Sequence, residues 1–248
     1  MNDRLIKELQ LLKQSKHRKI KNQFVAEGKR LVGEAINYNS TVELLLCTQT
    51  FHDKNKNGWQ GFLEVGSTMI EIITDSQFKR ISSTSTPSGI AALCNIPRSP
   101  YVDFKVREWI YLDKIRDPGN LGTILRSALW FGFKNIILSS ESVDPYNPKA
   151  IRSGMGSHFG LNLYQNIILN DFIKTHQIVS GSTCGEDISG FKLPERYVLV
   201  LGNEAHGISK NIEPLIQKSV SIKRLGEGDS LNLSSAASIL MYSLTRKR

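Results

Sequence analysis

Near the C-terminus the chain reads Ile222-Lys-Arg-Leu-Gly-Glu-Gly-Asp-Ser-Leu-Asn-Leu-Ser-Ser-Ala-Ala-Ser-Ile-Leu-Met-Tyr-Ser-Leu244. An apolar run, Val220 to Ile222, ends where this stretch begins. A loop of Gly226-Glu-Gly228-Asp229 follows. Ser230-Leu-Asn232-Leu-Ser234 then leads into a helix built on Ala236, Ala237, Ile239, Leu240 and Leu244. Glycines let a backbone turn tightly and approach a ligand. Ser and Asn at a helix start supply cap acceptors. Taken alone, the stretch is a glycine turn with a capped helix. With suitable partners upstream, it is a loop whose main-chain groups hold a small polar molecule.

Working outward, the residues before this stretch alternate between short apolar runs and helical patterns. Strands are expected at residues 109–112, 135–139, 161–166, 178–183, 197–201 and 220–222. Helices are expected at 120–131, 148–154, 171–176 and 209–218, the last opened by Ser209. Apolar runs between helices read as parallel strands buried on both faces. Asn95-Ile-Pro-Arg-Ser-Pro100 breaks the series with two prolines, so a boundary is expected within 95–107. The first half forms a smaller α/β unit. Its helices are expected at 3–14, 29–38 and 75–81, its strands at 24–28, 42–47, 69–73 and 89–94, and a polar loop at 53–61.

The chain has 248 residues, 40% of them hydrophobic, and a net charge of +9. Residues 1–30 hold nine Lys or Arg against three acids, which is most of that excess. Clustered positive charge suggests a polyanionic partner, nucleic acid first. Cys47, Cys94 and Cys184 are far apart and fit neither a disulfide framework nor a zinc site, so reduced thiols in a cytoplasmic protein are expected. No apolar run approaches the 18 residues of a membrane span. No metal is expected.

Three segments carry the chemistry. In Asp113-Lys-Ile-Arg-Asp-Pro-Gly119-Asn120-Leu-Gly122-Thr-Ile-Leu-Arg126, a turn delivers Asn120 to a helix start. Arg126 lies six residues on, so its long side chain can return toward the Asn120 end. In Leu201-Gly202-Asn203-Glu204-Ala205-His206-Gly207, a strand ends in glycine and presents a carboxylate where open α/β sheets place ligands. Glu204 could equally cap a following helix, and His206 reads as a surface residue. The third segment is the C-terminal stretch.

In this order, Asn-x-Gly-x-x-x-Arg, Gly-Asn-Glu and Ser-Leu-Asn-Leu-Ser resemble the motifs of the SpoU/TrmH family of RNA ribose methyltransferases, in the SPOUT superfamily. Phe24-Val-Ala-Glu-Gly28 and Thr86-Pro-Ser-Gly-Ile-Ala91 resemble the small RNA-binding domain often fused ahead of the catalytic one. The resemblance implies an RNA substrate-binding domain over 1–97 and a methyltransferase domain over 107–248. It implies a parallel sheet with a deep trefoil knot, S-adenosyl-L-methionine as cofactor, and a homodimer.

By matching positions, Gly202, Ile222 and Leu231 would hold the cofactor through backbone groups, and Leu201 and Leu233 would wall its pocket. Arg126 would be catalytic, supported by Asn120, Glu204, Ser230 and Asn232. The implied reaction is methyl transfer to a ribose 2′-hydroxyl, in ribosomal RNA because of the leading domain. A transfer-RNA 2′-O-methyltransferase and a non-catalytic RNA-binding or ribosome-assembly protein that keeps the fold are the alternatives. The sequence departs from the family pattern at Lys223-Arg224, where proline often follows the isoleucine, and at Ala205-His206. Arg152 is expected to meet RNA phosphate or an interface, and His158 to be a packing or surface residue.

Overall fold

A computed structural model describes residues 3–38, 42–55 and 69–248. The chain divides into two compact units. One comprises residues 1–98 with 144–159, the other 99–143 with 160–248.

The first unit begins with helices α1 (Asp3–Leu11) and α2 (Ser15–Lys21). Then come β1 (Gln23–Glu27), α3 (Lys29–Asn37), β2 (Val42–Thr48) and α4 (Gln49–Asn55), followed by β3 (Met69–Ile73), α5 (Asp75–Ile81) and β4 (Ile90–Asn95). The sheet order is β1-β4-β2-β3. β4 runs antiparallel to both β1 and β2, and β3 is parallel to β2. Ile6, Leu9 and Leu12 of the first helical stretch are buried, packing with Leu44, Leu46, Phe78 and Ile81. Between the helix expected to 14 and the strand expected from 24, where no element is expected, residues 15–21 form the helix α2, ending at Asn22 in the left-handed conformation. The loop expected over 53–61 starts as the end of α4, and its residues 56–61 lie outside the described ones.

Residues 144–159 carry α7 (Pro148–Gly154). Arg18, 1% exposed, donates to Asp144 Oδ2 through Nε at 2.8 Å and Nη2 at 2.6 Å. Its Nη1 donates to the carbonyls of Leu12 and Lys13. The Phe24 ring lies 4.9 Å from that of Tyr146 and 6.0 Å from that of Phe159. His158 is buried as expected of a packing residue, with Nε2 against the Pro145 carbonyl at 2.8 Å. Arg152 donates to Ser83 Oγ, which itself lies beside the Glu27 carboxylate.

The second unit holds β5 (Glu108–Leu112), α6 (Pro118–Trp130), β6 (Asn135–Leu138), β7 (Asn162–Gln165), β8 (Gln177–Asp187), β9 (Tyr197–Leu201), β10 (Lys218–Ser221) and α8 (Leu233–Thr245). All six strands are parallel, in the order β10-β8-β9-β5-β6-β7. Val198, Leu199, Val200 and Leu201 are each at most 2% exposed, as a strand covered on both faces requires.

Two expected helices are absent. Residues 209–218 form turns and a single 3-10 turn, Glu213–Leu215. Ile212, Leu215 and Ile216 mimic helical spacing, but Pro214 has no N–H for the i−4 bond. Residues 171–176 hold only the end of another 3-10 turn, Leu169–Phe172.

Candidate active site

In a parallel sheet every strand ends at the same edge, and ligands bind beyond those ends where the strand order reverses. β5 and β9 are neighbours, yet β5 connects onward to β6 on one side and β9 to β10 on the other. The turns after β5 and β9 and the loop after β10 therefore emerge together.

The turn after β5 is fixed by Asp117, whose carboxylate accepts the Asn120 N–H at 2.8 Å and caps α6, with Pro118 in its first turn. Asn120 Nδ2 donates to Glu204 Oε1 at 3.1 Å. Asn232 Nδ2 donates to Asn120 Oδ1 at 3.1 Å. Asn232 also caps α8, its Oδ1 accepting Ser234 N–H at 2.9 Å and Ser235 N–H at 3.4 Å. One polar chain, Glu204–Asn120–Asn232, thus joins three segments far apart in sequence. α6 and α8 are further joined by Ser127 Oγ and Ser238 Oγ at 2.7 Å.

The structure does not bring every expected residue into that chain. Arg126 is exposed on α6 with no hydrogen bond or ion pair among the described residues. Ser230 is likewise exposed and unpaired among them. Leu201 is buried, Ile222 and Leu233 are half-buried, and Leu231 is exposed. Gly202 is buried, and a Cβ there would lie 2.4 Å from the Gly207 carbonyl carbon. Only glycine fits, because Asn203 and Gly207 exchange backbone hydrogen bonds at 2.8 and 2.9 Å to close a tight turn around Glu204. His206 in that turn is exposed, as expected.

The loop after β10 has the makings of a main-chain clasp. Among the described residues, no backbone amide from Lys223 to Leu231 makes a hydrogen bond, and the only main-chain acceptor in use is the Gly228 carbonyl, held by Arg224 Nη1 at 2.7 Å. Gly228 takes φ +114°, a conformation open to glycine. Exposed amides and carbonyls beside the half-buried Ile222 and exposed Leu231 fit a ligand with a polar amino-acid end and an apolar face. On the flank, Lys114 Nζ pairs with Glu141 at 2.5 Å and Arg116 approaches the same carboxylate at 3.9 Å. The Lys114 hydrogen bond holds the Glu141 carboxyl below its ordinary value.

Residues 108–242 match the model of the SpoU rRNA Methylase family. The chain belongs to that family. Residues 3–92 match the MRM3-like substrate binding domain. The chain is 29% identical to the 23S rRNA (guanosine(2553)-2′-O)-methyltransferase of Bacillus subtilis, over 96% of this chain and 95% of that protein. It is 26% identical to the 23S rRNA (uridine(2479)-2′-O)-methyltransferase of Streptomyces viridochromogenes, over 91% of this chain and 83% of that protein. An AdoMet-bound rRNA methyltransferase structure from Sinorhizobium meliloti superposes with a TM-score of 0.80 at 27% identity, covering 98% of this chain and 94% of the other.

Among the residues of this SpoU-family site, Asp113, Asp117 and Asn203 were not singled out from the sequence. Asp113 directly follows an apolar strand and Asn203 lies inside Gly-Asn-Glu, but nothing in the pattern separates their roles from those of ordinary turn residues.

Proposed function

We propose that the protein is an S-adenosyl-L-methionine-dependent enzyme that methylates a ribose 2′-hydroxyl in ribosomal RNA. The observation that carries the reading is the Glu204–Asn120–Asn232 chain at the ends of β5 and β9, in a chain of the SpoU family. The two named relatives differ in base, guanosine and uridine, and share the ribose position.

When bound, the cofactor supplies an electrophilic methyl on a sulfonium. Gly202, Ile222 and Leu231 hold it through main-chain groups, with Leu201 and Leu233 as walls. The unpaired amides of the loop after β10 support this assignment. Arg126 contacts the RNA at the target ribose. A guanidinium stays charged at working pH, so it acts as fixed positive charge on the oxygen while the hydroxyl proton passes to solvent water, rather than as a base. The exposure of Arg126 leaves it available for that contact. Asn120, Glu204, Ser230 and Asn232 orient the site, and much of the rate gain comes from such positioning.

Residues 1–97 bind the RNA and 107–248 carry the chemistry, the last helix threading a trefoil knot. The active unit is a cytoplasmic homodimer. Its support is the large apolar side chains exposed on α6 and α8, Trp130 at 85% exposure, Ile239 and Tyr242. Light scattering should give a dimer mass for the wild type and a monomer for Trp130→Glu, and an unchanged mass would remove the interface from those side chains.

The test of function is ribose-methylation mapping of ribosomal RNA from cells with and without the gene, with the purified protein restoring the lost mark in vitro. Arg126→Ala should lower turnover by about a hundredfold or more, as for the loss of one oxyanion donor. Its cofactor affinity should stay within a few fold. Near-normal methylation by that variant would refute the role of Arg126.

A further inference from the structure

We propose that Asn203 is a positioning residue that sets the Glu204 carboxylate by tying the turn after β9 to the turn after β5. The inference rests on the methyltransferase reading above and assigns a role to a residue that reading leaves unused.

Glu204 is exposed, and it accepts two exposed hydrogen bonds from the α6 start, one from Asn120 Nδ2 at 3.1 Å and a long one from the Asp117 N–H at 3.4 Å. Exposed side-chain contacts of this kind hold geometry weakly on their own. Asn203 spends its whole amide on the same turn, and one of its bonds, to the Lys114 carbonyl, is shorter and part-buried. Its Oδ1 accepts the N–H groups of Ala205 at 2.9 Å and His206 at 3.1 Å, wrapping the turn around Glu204. Its Nδ2 donates to the Lys114 carbonyl at 2.7 Å and reaches Glu204 Oε2 at 3.4 Å.

The far end of the tie is itself constrained. Lys114 takes φ +55°, a left-handed conformation that a non-glycine residue adopts only where its surroundings hold it. Its N–H is held by Ser139 Oγ at 2.7 Å and its carbonyl by Asn203. A parallel tie runs alongside. Asp113, 1% exposed, accepts the Ser209 N–H at 2.7 Å through Oδ2. The two turns are therefore cross-braced on both sides of Glu204, each brace a part-buried hydrogen bond of 2.7 Å. A misplacement of about 1 Å in such a group can cost a hundredfold in rate.

The test is a double-mutant cycle on the full-length protein, with Asn203→Ala, Glu204→Gln and the pair, read by single-turnover methylation of ribosomal RNA. Amide exchange is measured on the cofactor-free proteins. If Asn203 acts through Glu204, Asn203→Ala lowers the rate roughly ten- to hundredfold, and the double variant is no slower than Glu204→Gln alone. Losses that multiply, or wild-type turnover in Asn203→Ala, overturn the proposal. Exchange of the Ala205 and His206 amides rises in Asn203→Ala and stays at the wild-type level in Glu204→Gln. Unchanged exchange in Asn203→Ala also overturns it.

Should Asn203→Ala fail to fold, Asn203→Asp keeps the acceptor for the two amides and loses the donor to Lys114. It should lower the rate, and also the thermal midpoint because a carboxylate oxygen then faces the Lys114 carbonyl, while the Ala205 and His206 amides stay protected; a wild-type rate overturns the proposal. If the wild type methylates no RNA, the methyltransferase reading fails, and the exchange measurement still decides whether Asn203 braces the turn.

Discussion

At the scale of single residues, burial changes what a side chain does more than its type does. His158 reads in the sequence as one of five histidines. In the fold it is enclosed, with Nδ1 unpartnered among the described residues, and burial pushes its pKa down to about 4. An unfolded His titrates near 6.5, so between these values the unfolded chain binds the extra proton. The contribution to stability is complete above about pH 6.5 and is lost as pH falls toward 4. For a shift of this size it amounts to about 3 kcal/mol. His176 is shifted the same way by burial, adding to the same trend. Thermal midpoints measured from pH 7.5 to 4 should fall less steeply in His158→Gln than in the wild type. Parallel curves would show that the ring is not excluded from solvent.

At the scale of elements, α8 shows one residue serving two structures. Asn232 caps the helix through its oxygen and reaches Asn120 through its nitrogen. Asn232→Asp keeps the cap acceptor and loses the donor. It should melt within about 1 kcal/mol of the wild type and lose methylation activity, whereas Asn232→Ala should lose both activity and roughly 1 kcal/mol of stability. Calorimetry beside a methylation assay separates the two, and equal activity in Asn232→Asp and wild type would confine the residue to capping.

The same scale shows what the sequence could reveal. Strands such as Tyr197–Leu201 were legible because burial on both faces makes them continuous apolar runs. α6 was legible because a proline–glycine turn precedes its periodic face, although its cap, Asp117, was not. α2 was hidden because five of its seven residues are basic, counting His17, and its inward member is Arg18 rather than an apolar side chain. The false helix at 209–218 came from correct apolar spacing overruled by Pro214. In the site, Asn120, Glu204 and Asn232 could be named because their three motifs, each weak alone, occur together in the order of the family they resemble. The braces at Asp113 and Asn203 could not, since a buried aspartate and a turn asparagine differ only in what they touch.

At the scale of the whole molecule, the first unit is built from two separate pieces of chain. Residues 144–159 supply Asp144 to the buried Arg18 and two aromatic rings to Phe24. Removing one partner of a buried ion pair typically costs about 3–5 kcal/mol, because the other charge stays behind unpaired. A fragment of residues 1–98 should therefore be markedly less stable to urea than the same residues in the full chain, and a peptide of residues 144–159 should restore part of the difference. A fragment that unfolds at the full-chain midpoint without the peptide would show that the segment contributes nothing.

Enclosure of Arg18 also bears on how the protein meets a polyanion. Affinity for nucleic acid falls with salt because cations at the surface displace condensed counterions from phosphate. A guanidinium at 1% exposure, neutralised by a carboxylate, displaces none. Within the first thirty residues, only cations on the outside, such as Lys7, Lys16, Lys19, Lys21 and Arg30, can add to the ionic-strength dependence of binding a polyanion. The formal charge of that segment overstates its pull.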